Sequence, residues 1–152
     1  MCPSPDGLSP AEDRRIPSVD LEVFELPTIV DARGSLTICE FGRHLPFTPK
    51  RIFFIRDVPE GVDRGGHAHR KCHQIWVCAQ GAMRLGVWNG TERRDYLLDD
   101  PGRGHLVPAG LWNDLCAFEP GTVLLCITSE PYDASDYVHT AEEYASWVAN
   151  RV

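Results

Sequence analysis

The tetrapeptide Gly66-His67-Ala68-His69 carries the plainest chemistry in the chain. On an extended strand residues i and i+2 point to one face, so His67 and His69 project side by side while the small Ala68 faces the other way. Two adjacent imidazoles can bind a metal ion, or they can take and return protons near neutral pH. A pair of hydrogen-bonded structural histidines is the bland alternative, and His-x-His alone is too short to separate the three. Arg33, Arg51, Arg64, Arg70 and Lys71 fall in the same half of the chain. Together they can build a positive pocket for an anionic ligand, although each alone reads equally well as solvated surface charge.

The histidines lie within a series of short β-like runs, at 21–26, 35–41, 51–56, 74–79, 83–88, 95–98, 114–118 and 123–128. Turn signals separate them: Asp31-Ala32-Arg33-Gly34, Pro59-Glu60-Gly61, Asp99-Asp100-Pro101-Gly102 and Glu119-Pro120-Gly121. Asn89-Gly90 between two such runs predicts a hairpin, because both residues tolerate positive φ. Many short strands with Gly/Pro turns and no solenoid-length repeat point to an all-β sandwich or barrel. The chain ends differently. Thr140-Ala141-Glu142-Glu143 has capping-box spacing, and Tyr144, Trp147 and Val148 follow at i, i+3 and i+4. That predicts a short amphipathic helix packed on the outside of the strands.

Composition narrows the function classes. The 152 residues suit one domain, with 43% hydrophobic and 24% charged residues. Residues 1–15, rich in Pro, Ser, Asp and Arg, read as a tail, and 16–152 as the domain. The net charge of −7 argues against nucleic acid and membrane surfaces as partners. No apolar run approaches the roughly 18–20 residues of a membrane span. The first seven residues have neither a basic nor an apolar segment, so a secretory signal is not expected and the cytoplasm is the default location. The six cysteines form no C-x-x-C pair and match no zinc-ribbon spacing, and most sit among apolar residues as small core side chains.

The spacing around the histidines is more specific than the pair itself. Gly61, five residues, His67, one, His69, four, Gln74, six, Gly81 matches the first cupin motif at every interval. Gly102, five residues, Pro108, one, Gly110, two, Asn113 matches the second. The chain therefore resembles the cupins, which implies a jelly-roll β-barrel carrying the short C-terminal helix. Metal-binding cupins have Glu where Gln74 stands and His where Asn113 stands. Amide oxygens are neutral, weaker donors than carboxylate or imidazole, so no metal and no other cofactor is expected. Two imidazoles in a metal-free lumen suit proton abstraction beside a carbonyl through an enediol(ate), with an amide such as Gln74 as donor to the oxygen.

A narrower likeness covers the chain from about Asp31 to the C-terminal helix. Arg33-Gly34-Ser35-Leu36, Pro46-Phe47, Lys50-Arg51-Ile52-Phe53-Phe54-Ile55, Arg64-Gly65-Gly66-His67-Ala68-His69-Arg70, the Trp112 segment and Tyr132-Asp133-Ala134-Ser135-Asp136-Tyr137 resemble the TDP-4-keto-6-deoxyglucose 3,4-ketoisomerases. The resemblance implies a metal-independent homodimer that moves a keto group from C4 to C3 of a nucleotide-linked sugar during deoxysugar biosynthesis. By position, His67 would remove the C3 proton and His69 would assist the transfer. Arg33, Arg51, Arg64, Gln74, Trp112 and Asn113 would line the substrate, with Arg33 and Arg51 near phosphate.

The chain also departs from that family. Phenylalanines stand at 53 and 54 where the family usually has a tyrosine implicated as a proton donor. Asn113 replaces an arginine that commonly follows the tryptophan, and His139 replaces another arginine. These changes keep two other readings open: a sugar epimerase of the same pathway, and a non-catalytic nucleotide-sugar-binding cupin. Elsewhere, Trp76 and Trp88 read as packing, as does Trp112 taken without the resemblance although it sits beside the second motif; His105 reads as a structural residue before a strand, and His44 as a loop residue. His73 could supply a third imidazole only if its strand slipped by one residue.

Overall fold

A computed structural model describes residues 15–151. The expected tail at 1–15 lies outside the described residues apart from Arg15. Two five-stranded antiparallel sheets face each other, as expected of a jelly roll. One has the order β1 (Glu22–Glu25), β9 (Arg103–Val107), β6 (Gln74–Gln80), β11 (Val123–Thr128), β4 (Arg51–Arg56). The other runs β12 (Tyr137–Val138), β5 (Arg64–His69), β10 (Trp112–Cys116), β7 (Met83–Trp88), β8 (Arg93–Leu98). A separate hairpin pairs β2 (Thr28–Asp31) with β3 (Gly34–Thr37).

Period-two alternation fills the space between the sheets. Trp76 and Cys78 from β6, Leu85 and Val87 from β7, Leu115 from β10 and Leu124 and Cys126 from β11 share one apolar core. A second cluster lies outside the barrel, where helix α1 (Ala141–Ala149) sets Tyr144 and Val148 against Ala68, Trp112 and Val138. Thr140 caps that helix, its hydroxyl accepting from the Glu143 N–H at 3.1 Å, as the sequence predicts. The Tyr144 hydroxyl reaches the carbonyls of Trp88 and Gly110, at 2.9 and 2.8 Å. Burial there pushes its pKa up to about 12.

Four strands lie outside the expected runs: β5, implied only by the alternation at His67 and His69, and β9, β12 and β2. β9 contains Gly104, whose missing side chain leaves room for the Phe24 ring; a Cβ there would come within 2.7 Å of it. His105 therefore sits within a strand, not ahead of one. β12 has two residues and β2 four, too short for alternation to register. The Asn89-Gly90 hairpin forms, but as a longer loop: Trp88 pairs with Arg93, and the Asn89 carboxamide oxygen accepts from Thr91 and Glu92 N–H groups. An Asx turn replaces the tight two-residue connection.

Candidate active site

β5 ends the barrel wall with His67 and His69 facing inward and Ala68 packed outward beneath the helix. Gly65 and Gly66 just before them have φ of 74° and 70°, and the β5–β10 register shifts at this point. A Cβ on Gly65 would stand 2.8 Å from the Asn113 carbonyl oxygen. Gly65→Ala therefore combines left-handed strain with a backbone clash under His67. We expect it to displace the ring and lower kcat/KM by about 10²-fold, measured by steady-state assay beside a thermal melt.

The imidazoles stand nearly perpendicular, with centroids 5.0 Å apart. Asn113 pairs with His67 across β5–β10, and Tyr137 pairs with His69 across β5–β12, so both flank the histidines on one face. The Tyr137 ring lies 4.4 Å from that of His69 and 5.0 Å from that of His67. The His139 ring stacks on Tyr137 in turn. Opposite, β6 presents Gln74 beside Thr128 of β11, and β4 presents Arg51 beside Phe53.

His69 is held by a carboxylate. Its Nδ1 lies 2.9 Å from Asp136 Oδ2, both side chains are buried, and Asp136 also accepts from the backbone N–H groups of Lys71 and Cys72. With Nδ1–H given to Asp136, the Nε2 lone pair faces the lumen. Burial pushes the His69 pKa down, opposed by Asp136, and the charge of Arg51 adds to the depression. His67 has no such partner. Burial, then the neighbouring His69, push its pKa down to about 4.

A base works unprotonated, so lowering its pKa extends activity toward acid. The kcat/KM profile should hold its plateau through pH 6 and fall only as pH approaches about 4, instead of breaking at the ordinary 6.5. A pH–rate series over the range of native stability checks this.

Five buried polar atoms of this lumen have no hydrogen-bond partner: Arg51 Nε, His69 Nε2, Gln74 Oε1, and Nδ2 and Oδ1 of Asn113. Buried polar groups are nearly always paired, so this cluster is left to bond water or a polar ligand. The metal alternative fits less well. His69, Cys72 and Asp136 bring donor atoms within 4.8 Å of one another. Both Asp136 oxygens, however, already accept hydrogen bonds, and burial pushes the Cys72 thiol up. The residues at the two remaining cupin ligand positions, Gln74 and Asn113, are amides, so this donor set suits hydrogen bonding over ligation.

The expected site residues thus divide. His67, His69, Arg51, Gln74 and Asn113 share the lumen. Trp112 does not, because alternation along β10 turns it outward into the cluster under the helix, where its indole N–H donates to Asp114 at 3.0 Å. Arg64 is exposed at the start of β5. Arg33 sits at the turn of the β2–β3 hairpin, 89% exposed and paired with Asp31. His73 points away from the lumen, its Nδ1 accepting from Ala109 N–H at 3.1 Å, so no register slip supplies a third imidazole. Sequence reading assigned no role to Asp136 or Tyr137. Both lie in the Tyr132–Tyr137 segment that carries the family likeness, but only the pairing of β12 with β5 shows what they touch.

A jelly roll whose two cupin-motif histidines stand with a carboxylate and amides, within a lumen of unpaired polar atoms, defines a cupin with a polar lumen. The family described as "FdtA: WxcM-like, C-terminal" matches residues 19–149. The chain belongs to this family, and with it to the sugar 3,4-ketoisomerases. It is 31% identical over 128 residues to the TDP-4-oxo-6-deoxy-alpha-D-glucose-3,4-oxoisomerase of Aneurinibacillus thermoaerophilus, covering 84% of this chain and 92% of that protein. Among solved structures, the sugar 3,4-ketoisomerase QdtA of Thermoanaerobacterium thermosaccharolyticum in complex with TDP superposes with a TM-score of 0.84 at 30% identity, covering 87% of this chain and 96% of that one. A 3,4-ketoisomerase from Helicobacter canadensis gives 0.82 at 27% identity, covering 86% and 98%.

Proposed function

We propose that this protein converts a TDP-linked 4-keto-6-deoxyhexose to its 3-keto isomer by histidine acid–base catalysis, with no metal. The observation that carries the reading is the His67/His69 pair set among unpaired amide and guanidinium groups, in a chain of this family. Related enzymes bind TDP, and the inward Arg51 guanidinium, over the Phe53 and Tyr132 rings at 5.1 and 5.5 Å, is placed to meet a diphosphate.

The shift moves one proton from C3 to C4 and another from the C3 hydroxyl to the C4 oxygen. His67 takes the C3 proton. Its low basicity then favours return of that proton to carbon, at C4. His69, with Nε2 open to the lumen and its cationic form supported by Asp136, takes the hydroxyl proton. The Asn113 amide N–H stabilises the oxyanion that develops. Incubation with TDP-4-keto-6-deoxyglucose, followed by NMR, should yield a 3-keto sugar. Substrate that binds but stays unchanged would favour the non-catalytic reading.

The same proposal includes a cytoplasmic homodimer. All five described cysteines are free thiols, which suits a reducing compartment. Among the described residues no helix is long and apolar enough to cross a membrane. The β2–β3 hairpin exposes Ile29, Val30 and Leu36, and the bare edge strand β4 exposes Ile52 and Phe54. A second copy's hairpin laid along that edge would cover both apolar surfaces and pair the edge. It would also bring the partner's Arg33 toward the lumen mouth, giving that residue the phosphate role its own protomer does not.

A further inference from the structure

The proton balance leaves one donor unassigned. Before His69 takes the hydroxyl proton its Nε2 carries none to give, so the C4 oxygen needs a proton from another group. Most lumen groups cannot supply it. Arg51 stays charged, and the amides of Gln74 and Asn113 donate hydrogen bonds without giving up protons. The Thr128 hydroxyl is directed to backbone carbonyls, of Glu130 at 2.8 Å and Arg51 at 3.3 Å. The Cys72 thiol is pushed up by burial and bonded to the His73 carbonyl. Tyr137 remains. It is the phenol in contact with both imidazoles among the described residues, and its pairing with His69 fixes it on the lumen face. Phe53, the aromatic residue facing the lumen from β4, packs edge-on against Trp76 and has no hydroxyl.

We infer that the Tyr137 phenol is the acid of the oxygen-to-oxygen transfer, relaying to the C4 oxygen a proton that His69 takes from the C3 hydroxyl. The inference rests on the ketoisomerase reading. His67 removes the C3 proton, the C3–H electron pair forms the C3=C4 bond, and the carbonyl pair moves onto the C4 oxygen as an oxyanion held by the Asn113 N–H; in a separate step that oxyanion takes the Tyr137 proton. The C3 hydroxyl proton passes to His69 Nε2, its O–H pair forms the new C3 carbonyl, and the C3=C4 pair takes the His67 proton at C4. His69 then returns its proton to the phenolate. Every group ends as it began, and no oxidant or reductant is consumed.

The test is Tyr137→Phe in deuterated water with TDP-4-keto-6-deoxyglucose. The relay predicts that exchange at C3 of the starting sugar persists, because the carbon base is untouched, while formation of the 3-keto product falls about 100-fold at nearly unchanged KM. A structural role would lower exchange and turnover together, and that result overturns the inference. So does turnover at the wild-type rate. Where Tyr137→Phe fails to fold, 3-fluorotyrosine at 137 decides. Its more acidic phenol should move the basic limb of the kcat profile to lower pH, and an unmoved limb contradicts the relay. Absence of both C3 exchange and 3-keto product with the unsubstituted enzyme would instead sink the ketoisomerase reading, and the relay with it.

Discussion

Replacing His67 by asparagine lowers kcat by about 10³- to 10⁴-fold and leaves TDP binding nearly unchanged. In the proposed mechanism the imidazole is the carbon base, and asparagine has no group that can take a proton at that position. In the proposed reading the nucleotide end of the substrate meets Arg51, on the facing sheet, so binding should survive. Single-turnover kinetics beside calorimetric titration with TDP separates the two. Equal losses in binding and rate would mean that His67 holds the ligand and does not act on it. The low pKa of about 4 belongs to the same argument. Partial burial and the neighbouring imidazole both disfavour the cation, so the ring is ready as a base at neutral pH and gives its proton back readily.

The second large effect concerns Asp136. The carboxylate accepts from His69 Nδ1–H and from two backbone N–H groups, with Lys71 the closer at 2.7 Å. Asp136→Asn keeps the shape but can present an N–H to His69 Nδ1. The imidazole would then carry its proton on Nε2 and turn a donor, not a lone pair, toward the substrate. We expect kcat to fall by about 10³-fold with KM little changed, and stability to drop by about 1–3 kcal/mol as a charge-assisted hydrogen bond is lost. Steady-state kinetics and urea unfolding measure the two. If His69 kept its tautomer and the rate stayed within a factor of a few, the carboxylate would be a structural clasp for the Lys71-Cys72 turn.

How much of this was legible in the sequence depended on the length over which each signal repeats. The inward pair at His67 and His69 and the strand at 51–56 follow from period-two alternation, and both formed as expected. The cap at Thr140 and the buried Tyr144 and Val148 follow from local helix chemistry and also formed. Trp112 and Asn113 show the limit. Both stood in the second motif, but neighbours on a strand face opposite ways, and only pairing with His67 fixes Asn113 as the inward one. Asp136 and Tyr137 were out of reach of pattern reading. Both meet His69 only through the fold: Asp136, 67 positions further along the chain, from the short 3-10 turn at 134–136, and Tyr137 from a strand of two residues. Arg33 lies in the expected turn, but the substrate-lining place expected for it is not one its own protomer provides, since the side chain is exposed and paired with Asp31.

The most direct test of the account is the position of solvent deuterium in the product. With TDP-4-keto-6-deoxyglucose in deuterated water, proton transfer by the paired histidines predicts a 3-keto sugar. Deuterium enters C4 of product and C3 of recovered substrate, and no other carbon, to the extent that the His67 proton exchanges with solvent before it returns. Deuterium at C5 with the carbonyl still at C4 would describe an epimerase and contradict the assignment of His67 and His69 to a 3,4-shift.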